Sequence, residues 1–343
     1  MAINLNTNSL TWVMTELVIG GFGFIGSNLV RELVKNGKQV AVLDNEFLGK
    51  KENLDGVECA KIKGDVLDLK LLEKIISEHG IKHIYYFGGY SSAPMFEKTP
   101  LRVADCFQMF INVLECARKN RIKVIYASTS SLYSRCKKPF REDMTIVPGT
   151  PYELSKYAME QAAHMYSLYY NVTANGARFF SVYGPHEKYK GRFANNLTQF
   201  FWSIKNNVSP IVYGDGTQSR DFTFVKDLVK AVIMIMEKGK GSEVYNIGTG
   251  KEVNFNKMVE IINKTLKKNV KPFYMENPLK NYVMETQADI SKIKKEIGWA
   301  PETSLEEGIK YLSESDDSIS FEEVMKLYEH LGLKWDSKKN IWT

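Results

Sequence analysis

The chain has 343 residues, of which 44% are hydrophobic and 25% charged, and its formal net charge is +6. This composition is ordinary for a globular protein, and the length suits one large α/β unit or two unequal lobes. No apolar run approaches the roughly 18 residues of a membrane helix, so no membrane partner is expected. The densest lysine cluster, Lys264–Lys271, lacks interleaved arginine or aromatic residues, which argues against nucleic-acid binding.

The cysteine pattern and the start of the chain exclude further classes. The four cysteines show no paired spacing, so we predict neither a zinc site nor a disulfide framework and expect no metal. A reducing cytoplasm is the simplest compartment. Residues 1–13 lack the basic flank and the apolar stretch of a secretory signal. Because Met14 directly precedes the first predicted strand, we interpret residues 1–13 as a dispensable N-terminal extension.

The first predicted strand begins near Leu17 and ends at three glycines spaced three apart, Gly20, Gly23 and Gly26. Such glycines allow a tight turn, close approach of the backbone to a pyrophosphate, and close packing of helix on sheet. A βαβ unit without a ligand also uses glycine in turns. However, Asp44 ends the second predicted strand, 18 residues after Gly26. A carboxylate there can accept both ribose hydroxyls and repels a 2′-phosphate, so the sequence predicts NAD rather than NADP.

Strands and helices alternate along the next segments. Predicted strands are 39–44, 57–63, 83–88, 123–127 and 172–177, and predicted helices are 27–36, 67–79, 101–120 and 151–170. This alternation predicts a parallel, doubly wound sheet that binds ligands at the carboxyl ends of its strands. Beyond Tyr183 the elements are shorter, with helices expected at 193–205, 225–238, 256–268 and 290–297. Ser304 and Ser320 each precede a glutamate by three residues, a capping-box pattern that predicts two final short helices.

The predicted fold class is therefore α/β, with a doubly wound parallel Rossmann sheet and a smaller α/β substrate-binding lobe. Residues 14–182 form the NAD-binding domain in this prediction, and segments near 222–250 return to it. Residues 183–312 form mainly the substrate lobe. The tail, residues 313–343, carries no motif that predicts a role.

Two groups of polar residues fall where such a sheet would place an active site. Hydroxyl residues follow the fifth strand, and Tyr152 and Lys156 lie one helical turn apart on the same helix face. Lowering a tyrosine pKa from about 10 to about 7 requires roughly 4 kcal/mol of preferential stabilisation of the phenolate. A lysine ammonium and a nicotinamide ring can supply it. We predict that Tyr152 takes a hydroxyl proton while hydride leaves the same carbon, that Ser130 binds the reacting oxygen, and that Lys156 binds the nicotinamide ribose.

At this point the motifs resemble the extended short-chain dehydrogenase/reductases, in particular the NAD-dependent sugar-nucleotide epimerase/dehydratase family whose type member is UDP-glucose 4-epimerase. The resemblance covers roughly residues 17 to 312. The matching stretches are GGFGFIG, GDV at 64–66, YASTSSLY, PYELSK, RFFSVYGP and YGDGTQSRDFTFVKD.

This resemblance, together with the motifs, assigns site residues. The catalytic set is Ser130, Tyr152 and Lys156. The expected cofactor-binding residues are Gly20, Gly23, Phe24, Ile25, Gly26, Asp44, Asn45, Asp65, Val66, Phe87, Gly88, Gly89, Ser128, Tyr152, Lys156 and Phe179. The expected substrate-binding residues are Ser91, Ser130, Ser181, Asn196, Tyr213 and Arg220. The resemblance implies that Arg220 grips the substrate pyrophosphate; Tyr213 is equally well read as a core aromatic, and Ser91 as an ordinary loop residue.

Departures from the family pattern reduce the number of activities that are expected. Ser131 and Leu132 stand where dehydratases carry an acid pair, so a 4,6-dehydratase is not expected. Ser181 and Cys106 each replace a common asparagine, and Gly88 with Gly89 replaces the usual alanine pair. These changes leave the sugar and the nucleotide open.

We therefore predict an NAD-dependent nucleotide-sugar 4-epimerase that acts on a UDP- or GDP-linked sugar. A nucleotide-sugar C4 dehydrogenase or 4-keto reductase would use the same three residues and remains an alternative. A non-catalytic NAD-binding protein is a more remote one, because it predicts a degraded Ser, Tyr and Lys set. The resemblance also implies a homodimer through paired long helices such as 101–120 and 151–170.

Overall fold

A computed structural model describes residues 15–97, 99–277, 282–315, 317–336 and 341–343. The interpretation of residues 1–13 as an extension, with Met14 as the start of the folded chain, lies outside these residues.

A seven-stranded parallel sheet forms the centre of the molecule, in the order β11-β6-β5-β4-β1-β2-β3. The predicted doubly wound parallel sheet is thus confirmed. In chain order the strands are β1 (Thr15–Ile19), β2 (Gln39–Asp44), β3 (Ala60–Lys63), β4 (Ile81–Tyr86), β5 (Lys123–Thr129), β6 (Ala174–Phe179), β7 (Val182–Tyr183), β8 (Ile211–Tyr213), β9 (Ser219–Arg220), β10 (Thr223–Phe224), β11 (Val244–Ile247), β12 (Val253–Asn254), β13 (Phe273–Met275), β14 (Trp335–Asp336) and β15 (Ile341–Trp342).

Helices cover both faces of this sheet and build the remainder of the fold. The α-helices are α1 (Phe24–Lys35), α2 (Leu69–His79), α3 (Arg102–Asn120), α4 (Pro151–Tyr170), α5 (Asn196–Lys205), α6 (Val225–Lys238), α7 (Phe255–Leu266), α8 (Ser291–Glu296), α9 (Leu305–Glu314) and α10 (Phe321–Tyr328). The predicted helices at 151–170 and 225–238 are confirmed at both ends, and both capping boxes are formed.

The central strands bury apolar side chains on both faces, as expected for a parallel sheet between two helical layers. Alternate side chains of a strand point to opposite faces. Val18 and Ile125 belong to the core beneath α1 and α6, whereas Leu17 and Val124 belong to the core beneath α2, α3 and α4. This arrangement leaves the carboxyl ends of the strands as the edge at which loops can form a binding site.

The second half of the chain contributes to both parts of the molecule. β11 pairs with β6 and so belongs to the central sheet. The lobe beside it contains the parallel pair β8 and β13, the antiparallel pair β9 and β12, and helices α5, α7, α9 and α10. Within the described part of the chain, none of the helices combines the length and the apolar character needed to cross a membrane.

Candidate active site

A cleft of about 510 Å³ lies at the carboxyl ends of the central strands. Its volume falls in the range of small-molecule and cofactor sites. Gly20 follows β1 in its wall, Asp44 ends β2, Phe87 follows β4, Ser130 follows β5 and Ser181 follows β6. The topology therefore brings together residues that lie far apart in the sequence.

The glycine turn after β1 leaves no room for side chains. Gly20 has a φ of +82°, and a Cβ atom added to it would lie 2.6 Å from the backbone nitrogen of Gly88. A Cβ atom at Gly26 would collide with the carbonyl oxygen of Gly20. Gly23 is the N-cap of α1 and provides no capping side chain, so the first backbone N–H groups of α1 face the cleft edge without a side-chain acceptor from the cap. Such a cradle fits a dinucleotide pyrophosphate.

Residues at the ends of β2 and β3 line the neighbouring end of the cleft. The Asp44 carboxylate accepts hydrogen bonds from the backbone N–H groups of Phe22 at 3.0 Å and Glu46 at 2.7 Å. Burial raises the pKa of Asp44 above its ordinary value, while these two donors lower it. Asn45 donates to Asp65 at 2.9 Å. Asp44 is therefore held with its carboxylate in the cleft wall, where the sequence predicts the ribose.

The remaining predicted cofactor residues are also found in the wall. This wall includes Phe24, Ile25, Val66, Phe87, Gly88, Gly89, Ser128 and Phe179. The Ser128 hydroxyl, however, donates to Glu160 at 2.6 Å. The Ser128 hydroxyl is therefore held by a buried carboxylate of α4.

Tyr152 and Lys156 enter the same cleft from the first turns of α4. Thr150 caps this helix by accepting from the backbone N–H of Glu153 at 3.2 Å, and Pro151 suits the first helical position. The Lys156 ammonium donates to the carbonyl oxygen of Ala127 at 3.0 Å. Both side chains are buried, and burial lowers the pKa of Lys156. The helix start thus fixes a phenol and an ammonium group one turn apart beside the end of β5.

The hydroxyl group that contacts Tyr152 belongs to Thr129, one residue before the predicted Ser130. The Thr129 side chain hydrogen-bonds with the Tyr152 phenol, and its oxygen also accepts from the backbone N–H of Ser131 at 3.1 Å. Ser130 lines the cleft nearby, at the start of a 3₁₀ helix. Sequence reasoning missed Thr129. Strand alternation was the available signal, because it places Ser128 and Thr129 on opposite faces of β5. The two residues that follow Thr129 are serines. The acid pair of the dehydratases is therefore also absent when Thr129, and not Ser130, is taken as the catalytic hydroxyl residue.

The surroundings of Tyr152 differ from the sequence expectation in one respect. Burial raises the pKa of Tyr152 to about 12, and the hydrogen bond from Thr129 opposes this increase. To bring the pKa of Tyr152 to the expected value near 7, positive charge close to the phenol must first cancel the effect of burial and then lower the pKa further. The nicotinamide ring, which is positively charged in oxidised NAD, fits that requirement.

The predicted substrate residues fall into two groups. Ser91, Ser181 and Asn196 line the cleft, whereas Tyr213 and Arg220 lie outside its wall. Arg220 donates to the carbonyl oxygen of Ser219 at 2.7 Å, and its guanidinium lies 5.3 Å from the ring centroid of Tyr282. Tyr213 packs edge-on against the same Tyr282 ring, with 6.4 Å between the centroids. The structure thus joins Tyr213 and Arg220 in one cluster beside the cleft.

A further part of the wall comes from the segment after β7, of which sequence reasoning selected only Asn196. The additional lining residues are His186, Tyr189, Lys190, Phe193 and Asn195. Burial and the positive charges of Arg31 and Lys188 lower the pKa of His186 to about 4, so its imidazole is neutral at physiological pH. Among the described residues, no group of three or more His, Cys, Asp or Glu side chains is placed to hold a metal ion.

Comparison with known proteins agrees with this geometry. Residues 16–248 match the model of the NAD dependent epimerase/dehydratase family. The chain is 34% identical over 298 residues to a putative UDP-glucose 4-epimerase of Methanocaldococcus jannaschii, covering 86% of this chain and 95% of that protein. It is 31% identical over 312 residues to a UDP-glucuronate 4-epimerase of Thermodesulfobacterium geofontis, covering 86% and 93%.

A solved structure gives the same result. The crystal structure of UDP-glucose 4-epimerase with UDP-glucose from Thermotoga maritima superposes with a TM-score of 0.83 at 31% identity, covering 88% of this chain and 98% of that one. Together with the glycine cradle and the Tyr152 and Lys156 pair, these matches show that the chain belongs to the NAD-dependent epimerase/dehydratase family.

Proposed function

We propose that this protein is an NAD-dependent 4-epimerase of UDP-linked sugars. The observation that carries the proposal is the placement of Tyr152, Thr129 and Lys156 in the same cleft as the glycine turn after β1. A phenol bonded to a second hydroxyl can bind and deprotonate a sugar hydroxyl. The adjoining cradle fits the cofactor that such an oxidation requires.

In this mechanism the chain's own residues handle protons and position the sugar. Tyr152 accepts the proton from the sugar O4 and later returns it. The Thr129 hydroxyl orients the phenol and binds the reacting oxygen. Lys156, held by the carbonyl of Ala127, places a positive charge that favours the phenolate. NAD supplies the hydride acceptor at C4 and the hydride that returns to the opposite face.

Substrate binding would extend from the cleft toward the lobe. Ser91, Ser181 and Asn196 are proposed to contact the sugar or the diphosphate, since they line the cleft. Arg220 and Tyr213 are proposed to bind the nucleotide end from the adjoining cluster. Because the nucleotide is held remotely, the reacting sugar keeps the freedom to turn over between the two hydride transfers. The UDP-linked substrates named in the relatives support uridine as the base.

The test is to incubate the purified protein with UDP-glucose, UDP-glucuronate and GDP-mannose and to follow the anomeric NMR signals. We expect interconversion of at least one UDP-sugar with its C4 epimer, without net change in absorbance at 340 nm. Net accumulation of reduced or oxidised cofactor would instead identify the C4 dehydrogenase or 4-keto reductase. Absence of any conversion, with NAD bound, would remove the proposal.

We also propose that the protein is a homodimer formed through α3 and α4. These helices pack side by side and expose apolar side chains at helical spacing. The exposed fractions are 40% for Phe107, 50% for Leu154 and 69% for Leu168. Exposed apolar side chains on two adjacent helices are typical of a protein interface. Light scattering should give a mass near twice 39.2 kDa, and Leu154→Glu should shift it toward the monomer. On the sequence argument that its cysteines are unpaired, we place the enzyme in the cytoplasm.

A further inference from the structure

Two buried carboxylates lie directly behind the part of the cleft wall formed by residues 186–196. The Glu187 side chain is fully buried, and Asp317 is 6% exposed. Neither residue lines the cleft itself. Asp317 belongs to the tail, residues 313–343, for which the sequence predicted no role. The two side chains are therefore candidates for holding the wall in place rather than for contacting substrate.

Glu187 bonds to two residues of the wall segment and to one residue of α5. One carboxylate oxygen accepts from the Lys190 ammonium at 2.9 Å and from the backbone N–H of Asn195 at 2.9 Å. The other oxygen accepts from the Thr198 hydroxyl at 2.6 Å. Lys190 and Asn195 both line the cleft, and Asn195 is the N-cap of α5. A single buried carboxylate thus fixes the ammonium and the helix start that face the substrate site.

Asp317 in turn holds the backbone that carries Glu187. Its carboxylate accepts from the backbone N–H of Glu187 at 3.3 Å and from the backbone N–H of His186. His186 has a φ of +71°, a conformation that a non-glycine residue adopts only when its surroundings maintain it. The Asp317 carbonyl accepts from the indole N–H of Trp202, a fully buried side chain of α5, at 3.0 Å.

The rest of the tail is fastened to the same part of the lobe. The Tyr328 and Ser203 hydroxyls lie 2.8 Å apart, and the Trp342 indole donates to the carbonyl of Ser209 at 2.8 Å. The two rings of Tyr328 and Trp342 pack edge-on, with 5.2 Å between their centroids. Asp317 is therefore anchored to a packed structure and not to a free end.

We propose that Asp317 and Glu187 are positioning residues for the nucleotide sugar. The tail holds the backbone of His186 and Glu187 through Asp317, and Glu187 holds Lys190 and Asn195 at the cleft wall. The kinetic consequences of this inference rest on the proposed function. The ordering of residues 186–196 by the tail is independent of that function.

The experiment compares four variants of the full-length, NAD-containing protein: Asp317→Ala, Asp317→Asn, Glu187→Gln and Ser320→Ala. Ser320→Ala is the matched control, because the Ser320 hydroxyl bonds to Glu323 within the capping box of α10, so this variant weakens the tail and keeps the hydrogen bonds of Asp317 and Glu187. For Asp317→Ala we expect KM for the UDP-sugar to rise about tenfold, with kcat within about twofold of wild type. We expect the same for Glu187→Gln, because both oxygens of Glu187 accept hydrogen bonds, one of them from the Lys190 ammonium, and glutamine keeps a single uncharged acceptor. Asp317→Asn keeps an oxygen acceptor for the Glu187 N–H and should recover most of this loss.

Hydrogen exchange of residues 186–196 provides a measurement that does not depend on turnover. The amides of Glu187 and Asn195 should exchange at least about tenfold faster in Asp317→Ala than in Ser320→Ala. If Asp317→Ala does not fold, Glu187→Gln gives the same comparison at the Asn195 amide. Wild-type KM and wild-type protection in these variants, or an equal rise in KM in Ser320→Ala, would overturn the inference. A wild-type protein that converts no UDP-sugar would remove the proposed function, while the exchange data would still decide the role of Asp317.

Discussion

The Lys156 ammonium donates a 3.0 Å hydrogen bond to the carbonyl oxygen of Ala127, the residue two positions before Thr129. This bond anchors a buried cation of α4 to the end of β5. Because Thr129 in turn bonds to Tyr152, the two elements are joined at two points within the cleft. The positive charge and the phenol therefore keep their relative positions without depending on a flexible loop.

Replacing this cation should change the pH dependence of the reaction. Tyr152 must lose its proton to act as base, so activity rises with pH until the phenol has titrated. Burial raises the pKa of Tyr152, and a cation close to the phenol would oppose that increase. In Lys156→Met we expect kcat to fall at least about 100-fold at pH 7 and its rising limb to move to higher pH. The pH profile of epimerisation between pH 6 and 10 measures both. An unchanged limb would show that Lys156 does not act on Tyr152.

Tyr152→Phe should separate chemistry from cofactor binding. The variant removes the proton acceptor and leaves the ring that packs against Phe96. We expect turnover to fall about 10²–10⁴-fold, the usual contribution of a general base. The NAD content, measured after acid release of the nucleotide, should stay at the wild-type level.

The control for this variant is Tyr157→Phe, which removes a phenol hydroxyl from the same helix. Tyr157 packs against the core and does not line the cleft. It should keep wild-type activity within about twofold. Comparable losses in both variants would point to damage to α4 and not to the loss of a base.

Variants of Thr129 and Ser130 should show which residue provides the hydroxyl group that acts beside Tyr152. Thr129→Val is nearly isosteric and removes the group that bonds to Tyr152. We expect kcat to fall about 100-fold, whereas Thr129→Ser should retain most activity. Ser130→Ala should change kcat less than about fivefold. The reverse order, with a large loss only in Ser130→Ala, would return the role to the residue that the sequence motif first indicated.

The sequence predicts the fold well because its signals are local. The glycines after β1, the apolar strands and the capped helix at Pro151–Tyr170 each depend on residues close to one another in the chain. The structure places Tyr152 and Lys156 in the predicted cleft for the same reason, since their spacing fixes a shared helix face.

The rest of the site depends on contacts that a local pattern does not contain. The register of the hydroxyl run was ambiguous by one residue, because β5 continues to Thr129 before the 3₁₀ turn begins. Arg220 lies against Tyr282, more than 60 positions away in the chain. Asp317 reaches Glu187 across a sequence separation of 130. Such long-range pairs follow from the packing of the lobe and have no signature in either segment alone.

Gly26→Ala should impair cofactor retention. The added Cβ atom would collide with the carbonyl oxygen of Gly20, which belongs to the turn proposed to hold the pyrophosphate. We expect the NAD content of the purified protein to fall at least about tenfold, since even a small shift of the backbone disrupts such a cradle. Gly37→Asn serves as the control, because a Cβ atom there meets no atom within 4 Å and asparagine tolerates the φ of +74° at this position. Full NAD content in Gly26→Ala would contradict the assignment of the cradle.

The stability of the tail contact should depend on pH with a defined sign. Burial, and to a smaller extent the charge of Glu187, raise the pKa of Asp317 from 3.8 to about 6. The hydrogen bonds from the backbone N–H groups of Glu187 and His186 and the charge of Lys188 lower this pKa and offset part of the increase. Between pH 4 and 6 the folded chain thus binds a proton that the unfolded chain does not, and this group lowers the free energy of unfolding as pH rises. The full effect is about 3 kcal/mol.

Asp317→Asn removes this effect. Its free energy of unfolding, relative to wild type, should therefore increase by about 2–3 kcal/mol between pH 4 and pH 6.5. The lowered pKa of His186, about 4, acts in the opposite direction over the same interval and is present in both proteins, so it cancels in the comparison. Urea unfolding at several pH values measures the difference. Glu314→Gln, at an exposed acid of α9, is the control and should run parallel to wild type. A parallel curve for Asp317→Asn as well would show that Asp317 does not hold a proton in the folded chain at pH 5.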